Sequence, residues 1–102
     1  MSTKTVAIIG AGATGMTATK GCLEQGLEPT VFEKTNYSGG LWRFQPKLDE
    51  NGIASVMKST IINSSKEMSA FSDFPPPVEC ANYMHHTKMV KVLPFRGLNL
   101  VF

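Results

Sequence analysis

Eleven residues, Thr5 to Gly15, read TVAIIGAGATG and decide the fold, because an apolar run passes directly into three glycines spaced G-x-G-x-x-G. The β-branched run, uninterrupted by charge, predicts a parallel strand that is buried on both faces. Gly10 then allows a tight turn, Gly12 lets the backbone approach a pyrophosphate, and Gly15 lets the next helix pack closely. The stretch therefore predicts a strand, a phosphate-binding turn and a helix.

The glycine pattern alone is weak, because it needs a strand before it, a helix after it and a distant acid. A helix is predicted over 13–25, ending at Gly26 as a left-handed C′ residue. A second strand over 30–32 ends at Glu33, 18 positions after Gly15 against an expected distance of about 20. A carboxylate there accepts hydrogen bonds from both ribose hydroxyls and repels a 2′-phosphate, which favours FAD or NAD over NADP. The alternative is an ordinary turn with an acid at a solvated strand end.

Composition limits the function classes. The chain has 102 residues, of which 42% are hydrophobic and 18% charged, so one globular domain is the upper limit. A net charge of +2 without a basic cluster predicts no nucleic-acid partner. The N-terminal apolar run is too short for a signal sequence or a membrane span, and no membrane segment is expected in this chain.

No metal site is predicted from the cysteines and histidines. Cys22 and Cys80 lack the spacing of a metal site or a disulfide framework and are expected to be reduced thiols. His85 and His86 are adjacent, so on a regular element their side chains should point in different directions and cannot hold one metal ion.

The remaining motifs follow the second strand. The double glycine Gly39-Gly40 lets backbone lie against a large cofactor, with Trp42 beside it, although an ordinary turn with a core tryptophan is equally consistent. The segment 53–62 fits neither a helical nor a strand period. The pattern from Ser64 to Glu67 is that of a capping box and predicts a short helix over 65–71. Asn63 precedes it, and its amide can donate to and accept from a redox ring or its oxygen adduct.

Together these residues resemble the N-terminal part of the flavin-containing monooxygenases, the FAD- and NADPH-dependent N- and S-oxygenating enzymes of animals. Many flavoproteins share the first glycines, but few share the later blocks. The resemblance covers roughly 4–89 and is carried by the glycine turn and by Phe32-Glu33-Lys34, Gly39-Gly40-Leu41-Trp42-Arg43, Asn63-Ser64-Ser65-Lys66-Glu67-Met68 and Phe71-Ser72-Asp73-Phe74-Pro75.

The resemblance implies an α/β fold, an incomplete Rossmann-like (βαβ) FAD/NAD(P)-binding domain. Residues 1–89 are expected to be the N-terminal part of the FAD-binding domain, and 90–102 a divergent apolar tail. The glycine turn is implied to hold the FAD pyrophosphate, Glu33 the adenosine ribose, and Asn63 to be the catalytic residue near the isoalloxazine. The implied cofactor-binding residues are Gly10, Ala11, Gly12, Ala13, Thr14, Gly15, Glu33, Lys34, Gly40, Leu41, Trp42, Asn63 and Ser64.

The implied activity is oxygenation of soft nucleophiles. In the family NADPH reduces FAD, O2 adds at the flavin C4a, and the hydroperoxide oxygenates a small-molecule amine or thioether. Asn63 matches the asparagine that hydrogen-bonds the cofactors around that intermediate. The resemblance implies the endoplasmic reticulum membrane, whereas the absence of an anchor in this chain leaves the cytosol open.

The sequence also differs from the pattern of the family it resembles. It lacks a second glycine fingerprint for NADPH and a hydrophobic C-terminal anchor, so we expect this chain to carry only the FAD-binding start and to be inactive alone. One alternative is a catalytically inactive FAD-binding fragment or splice product. Another is a fragment of an NAD-linked Rossmann dehydrogenase, against which Trp42 and the block 64–68 count.

Overall fold

The computed structural model describes residues 2–47, 52–92 and 100–101. The chain divides into two compact units, Met1–Gly40 with Phe95–Phe102, and Leu41–Pro94. The elements in chain order are β1 (Thr5–Ile9), α1 (Ala13–Glu24), β2 (Glu28–Phe32), a 3₁₀ turn (Gly40–Trp42), α2 (His86–Val92) and β3 (Leu100–Val101).

The first unit contains a parallel sheet with the strand order β1-β2-β3. β1 and β2 pair over their full length, from Thr5 opposite Glu28 to Ile9 opposite Phe32, and α1 connects them. β3 pairs in parallel with the end of β2. The βαβ unit confirms the predicted α/β, partial Rossmann-like fold.

The third strand comes from the segment 90–102, for which the sequence predicted a divergent tail. Within it the structure describes the last residues of α2, which ends at Val92, and the strand Leu100–Val101. Residues 93–99 and 102 lie outside the described residues. The division of the chain at residue 89 stays a prediction.

Helix α1 ends as the sequence predicts, at a left-handed glycine. Gly26 has φ of 72°. The Leu27 N–H donates to the Cys22 carbonyl at 2.9 Å, and the Gly26 N–H donates to the Leu23 carbonyl at 3.1 Å. These two bonds form a Schellman motif, which satisfies carbonyls that the end of the helix would otherwise leave unpaired.

The prediction that β1 is buried on both faces is wrong. Its residues alternate, with Ile8 buried against the helix side while Ile9 is 82% exposed. β2 alternates in the same way, with Val31 fully buried and Phe32 42% exposed. A parallel sheet is buried on both faces only when helices cover both, and within the described part of the first unit a single helix, α1, packs on one face.

The core of the first unit lies between the sheet and α1. Its buried members are Ile8, Ala11, Met16 and Val31, and Val6 and Cys22 pack against them. Gly15 makes this close packing possible, because a Cβ there would overlap the Gly10 carbonyl and approach the Ile8 side chain at 3.7 Å. The third glycine of the fingerprint therefore sets the distance between helix and strand.

The second unit contains no helix over 65–71, and that prediction is wrong. The segment forms turns, in which the Met68 N–H donates to Ser65 Oγ at 3.2 Å and the Ser69 N–H donates to the Ser65 carbonyl at 3.1 Å. The hydroxyl that accepts from a backbone N–H is thus that of Ser65 and not that of Ser64, which pairs with the Ser69 hydroxyl. Because Ser64 is engaged across the turn, the reciprocal bonds of a capping box do not form.

Gly15→Ala should destabilise the 102-residue chain by about 3 kcal/mol, because the added methyl overlaps backbone that cannot rotate away. Gly21→Ala, on the same helix, is the matched control. A Cβ there meets nothing within 4 Å, and the change should stabilise the chain by about 1 kcal/mol through helix propensity. Urea unfolding followed by circular dichroism measures both values. Equal effects of the two variants would contradict the packing argument.

Candidate cofactor site

The candidate site begins at the turn between β1 and α1. Gly10 has φ of 101°, in the region that favours glycine, and its N–H donates to the Phe32 carbonyl at 2.7 Å. Ala11 is fully buried, and Gly12 forms the N-cap of α1 with φ of −83°. A hydrogen bond thereby fixes the turn to the end of β2, and α1 begins directly after the turn.

The N-terminus of α1 is suited to an anion. No side chain from the described residues caps it, and its first turn contains no acidic residue. The first hydrogen bond of the helix runs from the Met16 N–H to the Gly12 carbonyl at 3.0 Å. The N–H groups of Ala13, Thr14 and Gly15 precede that bond and have no partner within the helix, so a phosphate can accept from them.

The backbone of the double glycine, Gly39-Gly40, contacts the turn between β1 and α1. The Gly39 N–H donates to the Ala11 carbonyl at 2.8 Å. A Cβ on Gly40 would lie 3.0 Å from the Gly12 Cα, closer than an ordinary contact, so a larger residue at position 40 would push the two backbone segments apart. Gly39 and Gly40 both have positive φ, at 112° and 55°. The first unit thus brings together the two glycine motifs that the sequence placed in one site.

Glu33 is also part of this arrangement. Its Oε1 accepts from the Ala11 N–H at 2.9 Å. Its Oε2 accepts from the Thr35 N–H at 2.8 Å and from the Thr35 hydroxyl at 2.6 Å. The predicted ribose acid therefore lies at the glycine turn, half-buried, with both oxygens held by short bonds.

These contacts determine the charge of Glu33. Burial raises the pKa of its carboxyl, but the bonds from the Thr35 hydroxyl and from the Ala11 and Thr35 N–H groups lower it, and so does the charge of Lys34. The net pKa lies below its ordinary value. At neutral pH the site presents an ionised acceptor beside the helix N-terminus.

The remaining predicted residues belong mostly to the second unit. Leu41 is half exposed, and its carbonyl accepts from the Val56 N–H at 2.9 Å. Trp42 is half-buried and Asn63 is exposed. Ser64 lies in a loop where its carbonyl accepts from the Tyr83 N–H at 3.3 Å. Lys34 is exposed in the first unit, after β2.

Sequence reasoning missed one residue of the turn, Thr35. Thr35 supplies two of the three hydrogen bonds to Glu33, and Gly39 ties the double glycine to Ala11. The signal for Thr35 was a hydroxyl two residues after an acid, a spacing at which side chain and backbone can bond locally.

The expectation that the two adjacent histidines diverge is wrong. The Nε2 atoms of His85 and His86 both approach the Lys58 carbonyl oxygen, at 2.9 and 3.0 Å. His85 precedes α2 and His86 is its first residue, so no single regular element spans both and the alternation of directions does not apply. Among the described residues, no group of three or more His, Cys, Asp or Glu side chains is placed to hold a metal ion. Both cysteines are free.

Neither helix in the described part of the chain has the length and apolar character needed to cross a bilayer.

The fold is a partial Rossmann-like α/β fold with a glycine turn at the start of its helix, and the comparisons with known proteins identify its family. The family model described as flavin-binding monooxygenase-like matches residues 3–96. Flavin-containing monooxygenase 5 of Oryctolagus cuniculus is 55% identical over 91 residues, which are 89% of this chain and 17% of that protein. Dimethylaniline monooxygenase (N-oxide-forming) 2 of Rattus norvegicus is 52% identical over 88 residues, covering 86% of this chain and 16% of that protein. The chain belongs to the flavin-binding monooxygenase-like family.

A solved structure agrees with this assignment. The S-allyl-L-cysteine S-oxygenase from Allium sativum matches with a TM-score of 0.76 and 27% identity, over 90% of this chain and 24% of that one. The chain thus spans about 17% of the length of the curated relatives it matches. The resemblance stated from the sequence is confirmed.

The lowered pKa of Glu33 predicts an acid-dependent loss of stability. Because the folded pKa is below the unfolded value, the stabilisation by Glu33 is present above the unfolded value of 4.5 and is lost as pH falls through the folded pKa. Glu33→Gln should therefore lower the free energy of unfolding at pH 7 and flatten its decline below pH 4.5. Urea unfolding across this range measures the effect. Glu28→Gln removes an exposed carboxylate from β2 and should keep the wild-type decline; a Glu33→Gln profile parallel to wild type would contradict the prediction.

Proposed function

We propose that this chain carries the start of the FAD-binding domain of a flavin- and NADPH-dependent monooxygenase. The observation that carries the proposal is the side-chain-free cradle formed by Gly12 and Gly40 at the uncapped start of α1. A pyrophosphate needs close backbone approach and N–H donors, and this cradle offers both. The family match over 3–96 favours a flavin over the NAD-linked alternative.

The proposed roles are those that the sequence resemblance implies, and the contacts of the first unit support those of the glycine turn and Glu33. The turn from Gly10 to Gly15 holds the pyrophosphate, with the N–H groups at the start of α1 (13–15) as its donors, and Glu33 accepts from the adenosine ribose beside Lys34. The bound flavin, reduced by NADPH and reacting with O2, supplies the oxygen-transfer chemistry. In the second unit we propose that Leu41 and Trp42 contact the flavin nucleotide, and that Asn63, aided by Ser64, is the catalytic residue.

The wider assignments rest on the family. A small-molecule amine or thioether is the proposed substrate, because the curated relatives include a dimethylaniline monooxygenase that forms N-oxides. We propose the endoplasmic reticulum as the location of the full enzyme on the sequence resemblance alone. The second candidate function is a catalytically inactive FAD-binding chain, because the contacts of the first unit account for cofactor binding only.

FAD titration of the 102-residue chain tests the proposal, with Gly12→Ala as the diagnostic variant. A Cβ at Gly12 meets only the Gly40 Cα at 3.6 Å, an ordinary contact, and its φ of −83° suits alanine. The change should cost at most about 1 kcal/mol of stability, the scale of an N-cap substitution. It should weaken FAD binding by about tenfold or more, because the methyl occupies the space that the pyrophosphate needs.

Gly21→Ala is the control and should bind FAD like wild type. ADP should compete with FAD, since the adenosine diphosphate half makes the proposed contacts. The absence of saturable binding at high micromolar FAD would overturn the proposal. Retained wild-type affinity in Gly12→Ala would show that the cradle is not the phosphate site.

A separate measurement distinguishes the two candidate functions. NADPH oxidation with a thioether and O2, followed by absorbance, should be absent from the FAD-loaded 102-residue chain if it is a catalytically inactive FAD-binding chain. Thioether-dependent turnover would instead show that this chain alone supports the reaction.

A further inference from the structure

Thr35 makes an unusual set of contacts for a residue that follows a ribose acid. Its N–H and its hydroxyl both donate to Glu33 Oε2, at 2.8 and 2.6 Å. The hydroxyl oxygen in turn accepts from the Tyr37 N–H at 3.3 Å. The Tyr37 carbonyl, at 3.0 Å, is a second and more distant acceptor for the same hydroxyl proton. The side chain is half-buried, so this local network is partly shielded from water.

The two oxygens of Glu33 are therefore engaged unequally. An ionised carboxylate offers roughly four acceptor sites, two on each oxygen. Oε2 receives two donors, both from Thr35, whereas Oε1 receives one, from the Ala11 N–H. The acceptor site that remains lies on Oε1, the oxygen attached to the glycine turn, where the proposed dinucleotide binds.

We propose that Thr35 is the positioning residue of the cofactor site: its hydroxyl anchors Glu33 Oε2 and leaves Oε1 directed to the adenosine ribose. The proposal rests on the proposed FAD-binding function and deepens it. Thr35 acts through Glu33 and not by contact with the cofactor. A pre-oriented acceptor binds a ribose hydroxyl without first losing the rotational freedom of a glutamate side chain.

The geometry explains why a hydroxyl is needed at this position. Without it, Oε2 would retain a single bond from a backbone N–H, and the carboxylate would be held by one donor on each oxygen. Bonds to ionised groups are stronger and shorter than neutral ones, and the 2.6 Å bond from Thr35 is the shortest of the three. Lys34 also acts on the charge of Glu33 and is left unchanged in the variants below.

The first test needs no cofactor. The carboxyl titration of Glu33 is followed by ¹³C NMR in the wild-type chain, in Thr35→Val, which removes the hydroxyl at nearly constant shape, and in Thr35→Ser, which keeps it. We expect Glu33 to take up its proton at higher pH in Thr35→Val than in wild type, and Thr35→Ser to return to the wild-type titration. Coinciding titrations in wild type and Thr35→Val would overturn the proposal.

The second test uses two nucleotides, ADP and 2′,3′-dideoxy-ADP, which lacks both ribose hydroxyls. Thr35→Val should weaken ADP binding about tenfold, the scale of a lost hydrogen bond to a charged group, and Thr35→Ser should restore it. Neither variant should change the affinity for dideoxy-ADP, because Glu33 then has no hydroxyl to accept from. If the role of Thr35 were purely structural, Thr35→Val would weaken the binding of both nucleotides equally, and that result would overturn the proposal.

The two tests separate this inference from the proposed function. If wild type binds neither FAD nor ADP, the proposed function fails, and the Glu33 titration alone decides whether Thr35 positions the acid. If wild type binds ADP and Thr35→Val binds it equally well, the cofactor site stands and the role of Thr35 is wrong.

Discussion

The first unit depends on a place where three backbone segments come together without side chains. The turn after β1, the start of α1 and the double glycine after β2 meet around Gly12, whose Cα would be 3.0 Å from a Cβ on Gly40. At the same turn a Cβ on Gly15 would overlap the Gly10 carbonyl. The clash at Gly15 is with backbone, so glycine is required there by the fold before any cofactor is considered, whereas a Cβ on Gly12 would make only an ordinary 3.6 Å contact.

Glu33 adds an electrostatic contact to the glycine turn, because its ionised carboxylate accepts from a backbone N–H of that turn. By accepting from the Ala11 N–H it fixes the turn from the side of β2, and the Thr35 donors keep it ionised. An uncompensated carboxylate near a half-buried turn would be costly, but here three donors and the nearby helix start offset the loss of hydration. The acid is thus a structural element of the turn as well as the proposed ribose acceptor.

The sequence predicted the features that depend on local chemistry. The glycine turn, the end of α1 at Gly26 and the pairing of β1 with β2 follow from short-range rules, and the structure confirms them. It could not predict burial on one face only, because that depends on which elements pack on the sheet. In place of the helix expected over 65–71 there are turns, in which the Ser65 hydroxyl accepts from the Met68 N–H and the Ser64 hydroxyl pairs with that of Ser69, and the capping-box spacing does not predict these bonds. Thr35 was missed because its bond to Glu33 depends on the orientation of the Glu33 side chain, which the sequence does not reveal.

One face of the sheet is exposed, which limits the stability of the first unit and makes stabilisation by a bound cofactor important. Ile9 is 82% exposed and Phe32 42%, and full burial of such a side chain stabilises a fold by about 1.5–3 kcal/mol each. The first unit therefore forgoes hydrophobic stabilisation that a sheet covered on both faces would have. A ligand that binds only the folded turn adds about 2.7 kcal/mol at a hundredfold excess over its dissociation constant, which is of the same order. Because a dinucleotide would bind only the folded turn, its binding and the folding of this unit are coupled, and it would stabilise the fold as well as occupy its site.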